Sequence, residues 1–141
     1  MSKILQIHTD GGSRGNPGSA GIGVVVYDET GNEVFQQSAY LGQATNNEAE
    51  YKALLASLEW LAVYIKTNPI DEVNWFLDSK LVVEQISRRW KIKEARLKQL
   101  AEQAWQILDA LPCRYQLTHV LRDKNTRADE LANKAMDAAA S

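Results

Sequence analysis

The spacing of apolar residues changes once along this chain, near residue 45, and that change restricts the fold. Before it, three runs of apolar and β-branched residues, at 4–9, 20–27 and about 33–41, predict β-strands. Turn-forming residues fill 11–18 between the first two runs, and residues 28–31 predict a hairpin turn before the third. The first third of the chain is therefore predicted to be an antiparallel meander.

After residue 45 the apolar spacing becomes helical. One face of a 3.6-residue period carries Leu54, Leu58, Leu61 and Ile65. Thr45 and Glu48 have the spacing of a capping box, in which each side chain accepts a hydrogen bond from the other residue's backbone N–H. These signals predict a helix over about residues 46–66.

The rest of the chain alternates strands and helices. Residues 73–77 predict a short strand followed by a helix, residues 94–111 predict another helix, and residues 114–120 alternate as a fifth strand. The last helix is predicted to start near Asn125 or Thr126. This order of elements predicts an α/β fold.

Composition narrows the class of protein. With 141 residues the chain fits one domain, residues 1–141, which can bury roughly two thirds of its unfolded surface. The lone Cys113 has no partner for an internal disulfide, and no apolar stretch approaches the ~18 residues of a membrane helix. We therefore expect a soluble, cytoplasmic monomer without a membrane partner.

Four carboxylates, Asp10, Glu50, Asp78 and Asp129, stand in local contexts unusual for surface charges. Asp10 and Asp78 end predicted strands, whereas Glu50 and Asp129 lie near the starts of helices. Such residues can converge at one edge of a sheet. Their oxygen ligands suit Mg²⁺ or Mn²⁺ rather than zinc, since the chain has two His and one Cys. That geometry favours phosphoryl chemistry.

Local structure offers another explanation for some of these acids. Glu48 is accounted for by the capping box, whereas Glu50 lies on the apolar stripe and should face the sheet, so Glu50 is the functional candidate. Asp78 alone can be a helix cap, and Asp129 alone can be a first-turn acid that complements the helix dipole. Both interpretations stay open on local signals.

A basic run lies at residues 88–98, which hold six of the sixteen Lys and Arg residues and one acid. It can follow a phosphate backbone, with an aromatic ring available for stacking. The alternative is a solvated helix face, and the net charge of −2 also argues against a general polyanion binder. The candidates for substrate binding in this run are Arg88, Arg89, Trp90, Lys91 and Lys93.

Four motifs occur in order: TDGGSRGNPG at 9–18, TNNEAEY at 45–51, LDS at 77–79 and NTRADELA at 125–132. Together they resemble type 1 ribonuclease H over essentially the whole chain. The resemblance implies the ribonuclease H-like fold, a five-stranded mixed sheet with three antiparallel and then two parallel strands, flanked by helices. It also implies endonucleolytic cleavage of the RNA strand in an RNA–DNA hybrid, which leaves 5′-phosphate and 3′-hydroxyl ends.

The resemblance assigns Asp10, Glu50, Asp78 and Asp129 as ligands of two Mg²⁺ ions, with Mn²⁺ as a substitute. Two such ions, about 4 Å apart, can activate a water and stabilise the leaving 3′ oxygen. Asp10 would bridge both ions, Asp129 would complete the nucleophile side, and Glu50 and Asp78 would hold the other ion. Contacts to the RNA strand are implied for Ser13, Asn16, Asn46 and Asn47, although Asn16 can instead be a turn residue.

The chain departs from the better-known bacterial pattern in two places. Residues 120–125 form a shorter segment without the family's His, and Arg122 is the expected replacement with an electrostatic role, because Arg cannot act as a base. The chain is also too short after residue 86 for the full basic insertion, and Lys80 and Glu84 stand where Gln or Asn is common. It thus resembles the subgroup that lacks both features.

Two other function classes share parts of this pattern. A phosphate-binding loop ATPase is excluded because no Gly-Lys-Ser/Thr follows the glycine-rich segment, which leads into a strand. A non-catalytic hybrid-binding module of the same fold is the serious alternative. Such a module is expected to have lost one or more acids, and all four are present.

Overall fold

A five-stranded mixed sheet forms the centre of this computed structural model, which describes residues 2–140. Its strands are β1 (Ile4–Gly15), β2 (Gly18–Tyr27), β3 (Glu33–Ala44), β4 (Glu72–Leu77) and β5 (Arg114–His119). They lie in the order β3-β2-β1-β4-β5. The first three strands pair antiparallel, whereas β4 pairs parallel with both β1 and β5. The predicted sheet is confirmed.

Four helices accompany the sheet: α1 (Asn46–Tyr64), α2 (Lys80–Ile86), α3 (Ala95–Asp109) and α4 (Thr126–Ala140). A short 3₁₀ helix, Arg122–Lys124, precedes α4. The first helix is two residues shorter than predicted because Lys66 and Thr67 donate to carbonyls three residues back, which closes α1 with tighter turns. The capping box of Thr45 and Glu48 is present as predicted.

The glycine-rich segment is mostly strand, and its prediction as a turn cluster is wrong in extent. Every residue from Asp10 to Gly15 pairs with β2, so only Asn16 and Pro17 lie between the two strands. Gly15 has φ of 95°, a conformation that glycine adopts without strain. Gly11 and Gly12 are paired strand residues. Gly11 is explained by close packing against the next helix and not by chain reversal.

The helices cover both faces of the sheet. Successive side chains of a strand point to opposite faces, and a Cβ at Gly11 of β1 would meet α1. A Cβ at Gly23, which pairs with Asp10, would instead meet α4. Asp10 therefore points to the α4 face. The main apolar core lies on the other face, where Tyr51 and Trp75 are wholly buried among residues of α1 and α3.

Candidate active site

Asp10 lies on the central strand β1 and is only 7% exposed. The preceding residue, Thr9, pairs with Leu77, the last residue of β4. Asp10 and Asp78 therefore occupy equivalent places at the same edge of two neighbouring parallel strands. The prediction that both acids end strands holds for Asp78, whereas β1 continues five residues beyond Asp10.

Asp78 does not cap the helix that follows it. The cap of α2 is Ser79, whose Oγ accepts a hydrogen bond from the Val82 N–H at 3.3 Å. The alternative interpretation of Asp78 as a capping residue is thereby wrong. Its carboxylate remains available at the sheet edge beside Asp10.

Glu50 reaches Asp10 because α1 lies unusually close to β1. A Cβ at Gly11 would be 2.2 Å from the Ala49 carbonyl oxygen, so only glycine permits this approach. The Gly11 N–H donates to Glu50 Oε1 at 2.7 Å and fixes the direction of the carboxylate. Glu48, by contrast, accepts from the Thr45 N–H and pairs with Arg96 at 3.3 Å. Glu50 thus faces the sheet as predicted.

One oxygen each from Asp10, Glu50 and Asp78 lie within 4.8 Å of one another. Asp129, in the first turn of α4, lies outside this tight group but within hydrogen-bonding reach of Asp10. Its carboxylate accepts a hydrogen bond from Arg122 at 3.2 Å. The four predicted acids therefore meet in one place, three of them in contact and the fourth paired with a cation.

The shared location raises the pKa of two of these carboxyl groups. Burial, and then the negative charges of Asp78 and Asp129, raise the pKa of Asp10 to about 8. Burial and the charges of Asp10 and Asp78 also raise the pKa of Glu50 well above its ordinary value, although the Gly11 N–H opposes this. Without a cation, the acids cannot all be ionised at low cost.

An all-oxygen cluster of this kind fits hard divalent cations. Three closely spaced carboxylates offer the ligand type that Mg²⁺ and Mn²⁺ prefer. The charge of a bound cation would also favour the ionised form of every acid here. Asp10, Glu50 and Asp78 are the residues placed to hold such an ion, and Asp129 stands beside them.

The acids open into a cleft of about 450 Å³. Ser13, Asn46 and Asn47 line its rim, and Arg122 lies at its edge. Asn46 Oδ1 accepts from the Ser13 N–H at 2.9 Å, while the Asn46 N–H donates to Asn16 Oδ1 at 3.1 Å. Hydrogen bonds therefore link Ser13, Asn46 and Asn16. Asn16 ties the β1–β2 turn to the start of α1 but does not itself line the cleft.

The basic run lies away from this cleft. Its first residues form a turn and α3 begins only at Ala95, so the run is not a single helix face. Arg88 has φ of 62° and lies 4.4 Å from the ring of Trp105, and Arg89 makes two hydrogen bonds to Glu84. Trp90 is 44% exposed. Trp90, Lys91 and Lys93 are exposed, and so are the side chains of Arg88 and Arg89, although each arginine already has a partner within the chain.

Sequence reasoning missed several residues that line the cleft, among them Arg14 and Asn133. Arg14 pairs with Asp137 and also reaches Asn133 at 3.4 Å. The Asn133 amide in turn donates to the Asp129 carbonyl at 3.0 Å. The available signal was the spacing of Asp129, Asn133 and Asp137, which places all three on one face of the last helix.

Comparison with known proteins identifies the family. A family model described as reverse transcriptase-like matches residues 8–135. A ribonuclease H of Ruthia magnifica is 40% identical, and the match covers 97% of each chain. The solved structure of LC11-RNase H1, isolated from compost and bound to an RNA/DNA hybrid, is 45% identical with a TM-score of 0.91, over 97% of this chain and 99% of that one. The chain belongs to the type 1 ribonuclease H family.

Other relatives of this ribonuclease H chain are much longer. A bifunctional protein of Mycobacterium tuberculosis is 48% identical over 95% of this chain, but the match spans only 36% of that protein.

In residues 2–140, no helix is long and apolar enough to cross a membrane. The predicted family and fold are both confirmed.

Proposed function

We propose that this ribonuclease H chain cleaves the RNA strand of RNA–DNA hybrids by metal-dependent hydrolysis, leaving 5′-phosphate and 3′-hydroxyl ends. The observation that carries the proposal is the convergence of the Asp10, Glu50 and Asp78 oxygens within 4.8 Å in an open cleft. A related protein, LC11-RNase H1, has been solved with an RNA/DNA hybrid. A monomer in the cytoplasm, with residues 1–141 as one domain, is the form we propose.

The four carboxylates would divide between two sides of the scissile phosphate. Asp10 is central, so it would serve both sides, with Asp129 completing one and Glu50 and Asp78 the other. Two Mg²⁺ ions, or Mn²⁺ in their place, would when bound activate the attacking water and stabilise the leaving 3′ oxygen. The protein's part is to hold these oxygens in place before substrate arrives.

Arg122 would act through its charge. Its guanidinium donates to Asp129 and lies at the edge of the cleft, while its side chain is 77% exposed and free to reach a phosphate. The charges of Asp129 and Asp10 raise the pKa of Arg122 further, so it stays a cation and cannot serve as a base. We propose that it stabilises negative charge at the phosphate or the leaving group.

Two surfaces would hold the hybrid. Ser13, Asn46 and Asn47 line the cleft and would contact the RNA strand, and Asn16 would join them from the turn between β1 and β2. A second surface, formed by Arg88, Arg89, Trp90, Lys91 and Lys93, would contact the duplex farther away. Because Arg88 and Arg89 already contact Trp105 and Glu84, we expect them to contribute less to binding of the hybrid than Lys91, Lys93 and Trp90.

The test is cleavage of an end-labelled RNA–DNA hybrid with Mg²⁺ by the wild type and by Glu50→Gln and Glu48→Gln. Glu50→Gln removes a carboxylate from the cluster, and we expect cleavage to fall by at least about 1,000-fold. Glu48→Gln is the matched control on the same helix, because glutamine keeps an oxygen that can accept from the Thr45 N–H. It should retain cleavage.

Two outcomes would contradict the proposal. A wild type that binds the hybrid but cuts it with neither Mg²⁺ nor Mn²⁺ would favour the non-catalytic binding module. Loss of cleavage in Glu48→Gln with activity retained in Glu50→Gln would show that the acid on α1 is assigned wrongly.

A further inference from the structure

A buried asparagine joins the two elements that carry Asp10 and Asp129. Asn125 is only 1% exposed and lies directly before α4. Its Nδ2 donates to the Thr9 carbonyl at 2.8 Å, one residue before Asp10. Its own carbonyl accepts from the Asp129 N–H at 3.1 Å, in the first turn of α4. A single residue thus contacts the backbone beside both carboxylates.

The second polar atom of this amide is also occupied. Asn125 Oδ1 lies 3.1 Å from His8 Nδ1. Because the Thr9 carbonyl can only accept, the Asn125 NH₂ must face it, and the oxygen must face His8. His8 Nδ1 is then the donor. The His8 ring is stacked on Phe76 at 4.9 Å, which fixes the direction of this donor. The amide is therefore held at both ends.

The packing of α4 on β2 gives independent support. A Cβ at Gly23 would lie 2.1 Å from the Ala128 carbonyl oxygen, so α4 touches the strand backbone. Gly23 is the residue paired with Asp10. The glycine sets how closely α4 approaches the sheet, but it does not fix the position of the helix along β1. The hydrogen bond from Asn125 to Thr9 supplies that constraint.

We propose that Asn125, oriented by His8, is a positioning residue that fixes Asp129 relative to Asp10 and thereby sets the affinity for a cation that these two carboxylates would hold together. The inference rests on the proposed function in one respect, which is the identity of the cation. Asn125 does not line the cleft. It acts through the placement of α4, in the way that outer-shell partners orient metal ligands.

The test measures Mn²⁺ binding to the metal-free protein by titration calorimetry, together with kcat and KM for hybrid cleavage. Asn125→Ala removes both side-chain bonds, and we expect Mn²⁺ affinity and kcat to fall about 10- to 100-fold. KM for the hybrid should change little, because the residues proposed to contact RNA lie on β1, the turn after it and α1. His8→Phe keeps a flat ring against Phe76 but loses the donor, so a smaller loss in the same direction is expected.

Ser57→Ala is the matched control for general destabilisation. The Ser57 hydroxyl accepts from the Trp75 indole N–H at 2.9 Å and is fully buried on the α1 side of the sheet. This variant should lower thermal stability and leave Mn²⁺ affinity unchanged. Asp129→Asn supplies the reference value for loss of the carboxylate itself.

The inference is overturned if His8→Phe and Asn125→Ala bind Mn²⁺ as tightly as the wild type, or lose no more affinity than Ser57→Ala. Should Asn125→Ala fail to fold, unchanged Mn²⁺ affinity in His8→Phe would by itself overturn it. A wild type that binds Mn²⁺ but does not cleave the hybrid would contradict the proposed function alone, since the affinity comparison needs no substrate.

Discussion

The two helices that bring carboxylates to Asp10 do so by different means. On the α1 side, Glu50 is held by a backbone N–H, and the helix touches β1 at Gly11. On the α4 side, Asp129 is 27% exposed at its side chain and is held by the Arg122 guanidinium. The Glu50 carboxylate is directed by a main-chain donor, whereas the Asp129 carboxylate is paired with an exposed side-chain cation. The helices themselves both touch strand backbone, α1 at Gly11 and α4 at Gly23.

The difference shows that one cluster of like charges can contain both a carboxylate that is held in place and a carboxylate that can change its partner. The backbone donor leaves the Glu50 carboxylate little freedom, because turning it away would break its hydrogen bond to the Gly11 N–H. Asp129 can exchange the charge of Arg122 for that of another cation without moving its helix. The Glu50 carboxylate therefore provides a fixed reference, whereas the Asp129 carboxylate can change its cation partner while α4 stays in place.

The most damaging change on the α1 side should be Gly11→Ala. The added Cβ would lie 2.2 Å from the Ala49 carbonyl oxygen, and α1 cannot retreat because α3 packs behind it. We expect the free energy of unfolding to fall by about 3 kcal/mol and cleavage to be lost. Urea denaturation measures the first effect and the hybrid assay the second.

Gly12→Ala is the matched control, since its nearest neighbour would be Asn46 Oδ1 at 3.9 Å. It should be close to the wild type in stability. Equal stability of the Gly11→Ala and Gly12→Ala proteins would show that α1 is not fixed by this contact.

The metal-free protein should lose stability as pH rises. Because the native pKa of Asp10 is raised to about 8 from an unfolded value near 3.8, the folded state holds a proton that the unfolded state has released. The stability that Asp10 contributes is fully present below its unfolded-state pKa and is lost as the pH rises towards its folded-state pKa of about 8. Each pH unit in that interval changes stability by up to ~1.4 kcal/mol, so we expect a loss of about 3 kcal/mol between pH 5 and 7.

Urea denaturation in EDTA at the two pH values measures this loss, and Asp10→Asn should reduce it. Adding Mg²⁺ should restore much of the wild-type stability at pH 7. A metal-free wild type that is equally stable at pH 5 and 7 would show that burial and neighbouring charge do not raise the pKa of Asp10 in this way.

The smallest effect on stability is expected on the α4 side. Arg122→Ala should change the free energy of unfolding by less than about 1 kcal/mol, because the pair with Asp129 is exposed on the arginine side. It should nevertheless lower kcat for hybrid cleavage, by about 100-fold at most. Single-turnover cleavage with Mg²⁺ measures the change.

Arg127→Ala is the control, since Arg127 pairs with Glu33 and Glu130 and does not line the cleft. It should leave kcat unchanged. If both variants reduce kcat equally, the effect comes from general surface charge, and the specific role proposed for Arg122 is wrong.

Much of the candidate site was predictable because its signals are local. The capping box accounted for Glu48 and left Glu50 as the acid facing the sheet, and a strand end pointed to Asp78, although β1 continues beyond Asp10. The extent of β1 could not be predicted, because glycines that serve helix packing look the same in sequence as glycines that reverse the chain. Internal partners of Arg88 and Arg89 were likewise invisible, since Glu84 and Trp105 come near them only in the folded protein.

The sequence by itself determined the order of strands and helices, the carboxylate composition of the site and the resemblance to ribonuclease H, because periodicity, capping and motif spacing are written in neighbouring residues. Only the tertiary structure decided how the acids are held. Gly11 and Gly23 act through contacts with helices far away in the chain, and Asn125 joins β1 to α4 across 116 residues. Such contacts depend on which face of the sheet each helix covers, and local sequence patterns do not predict that.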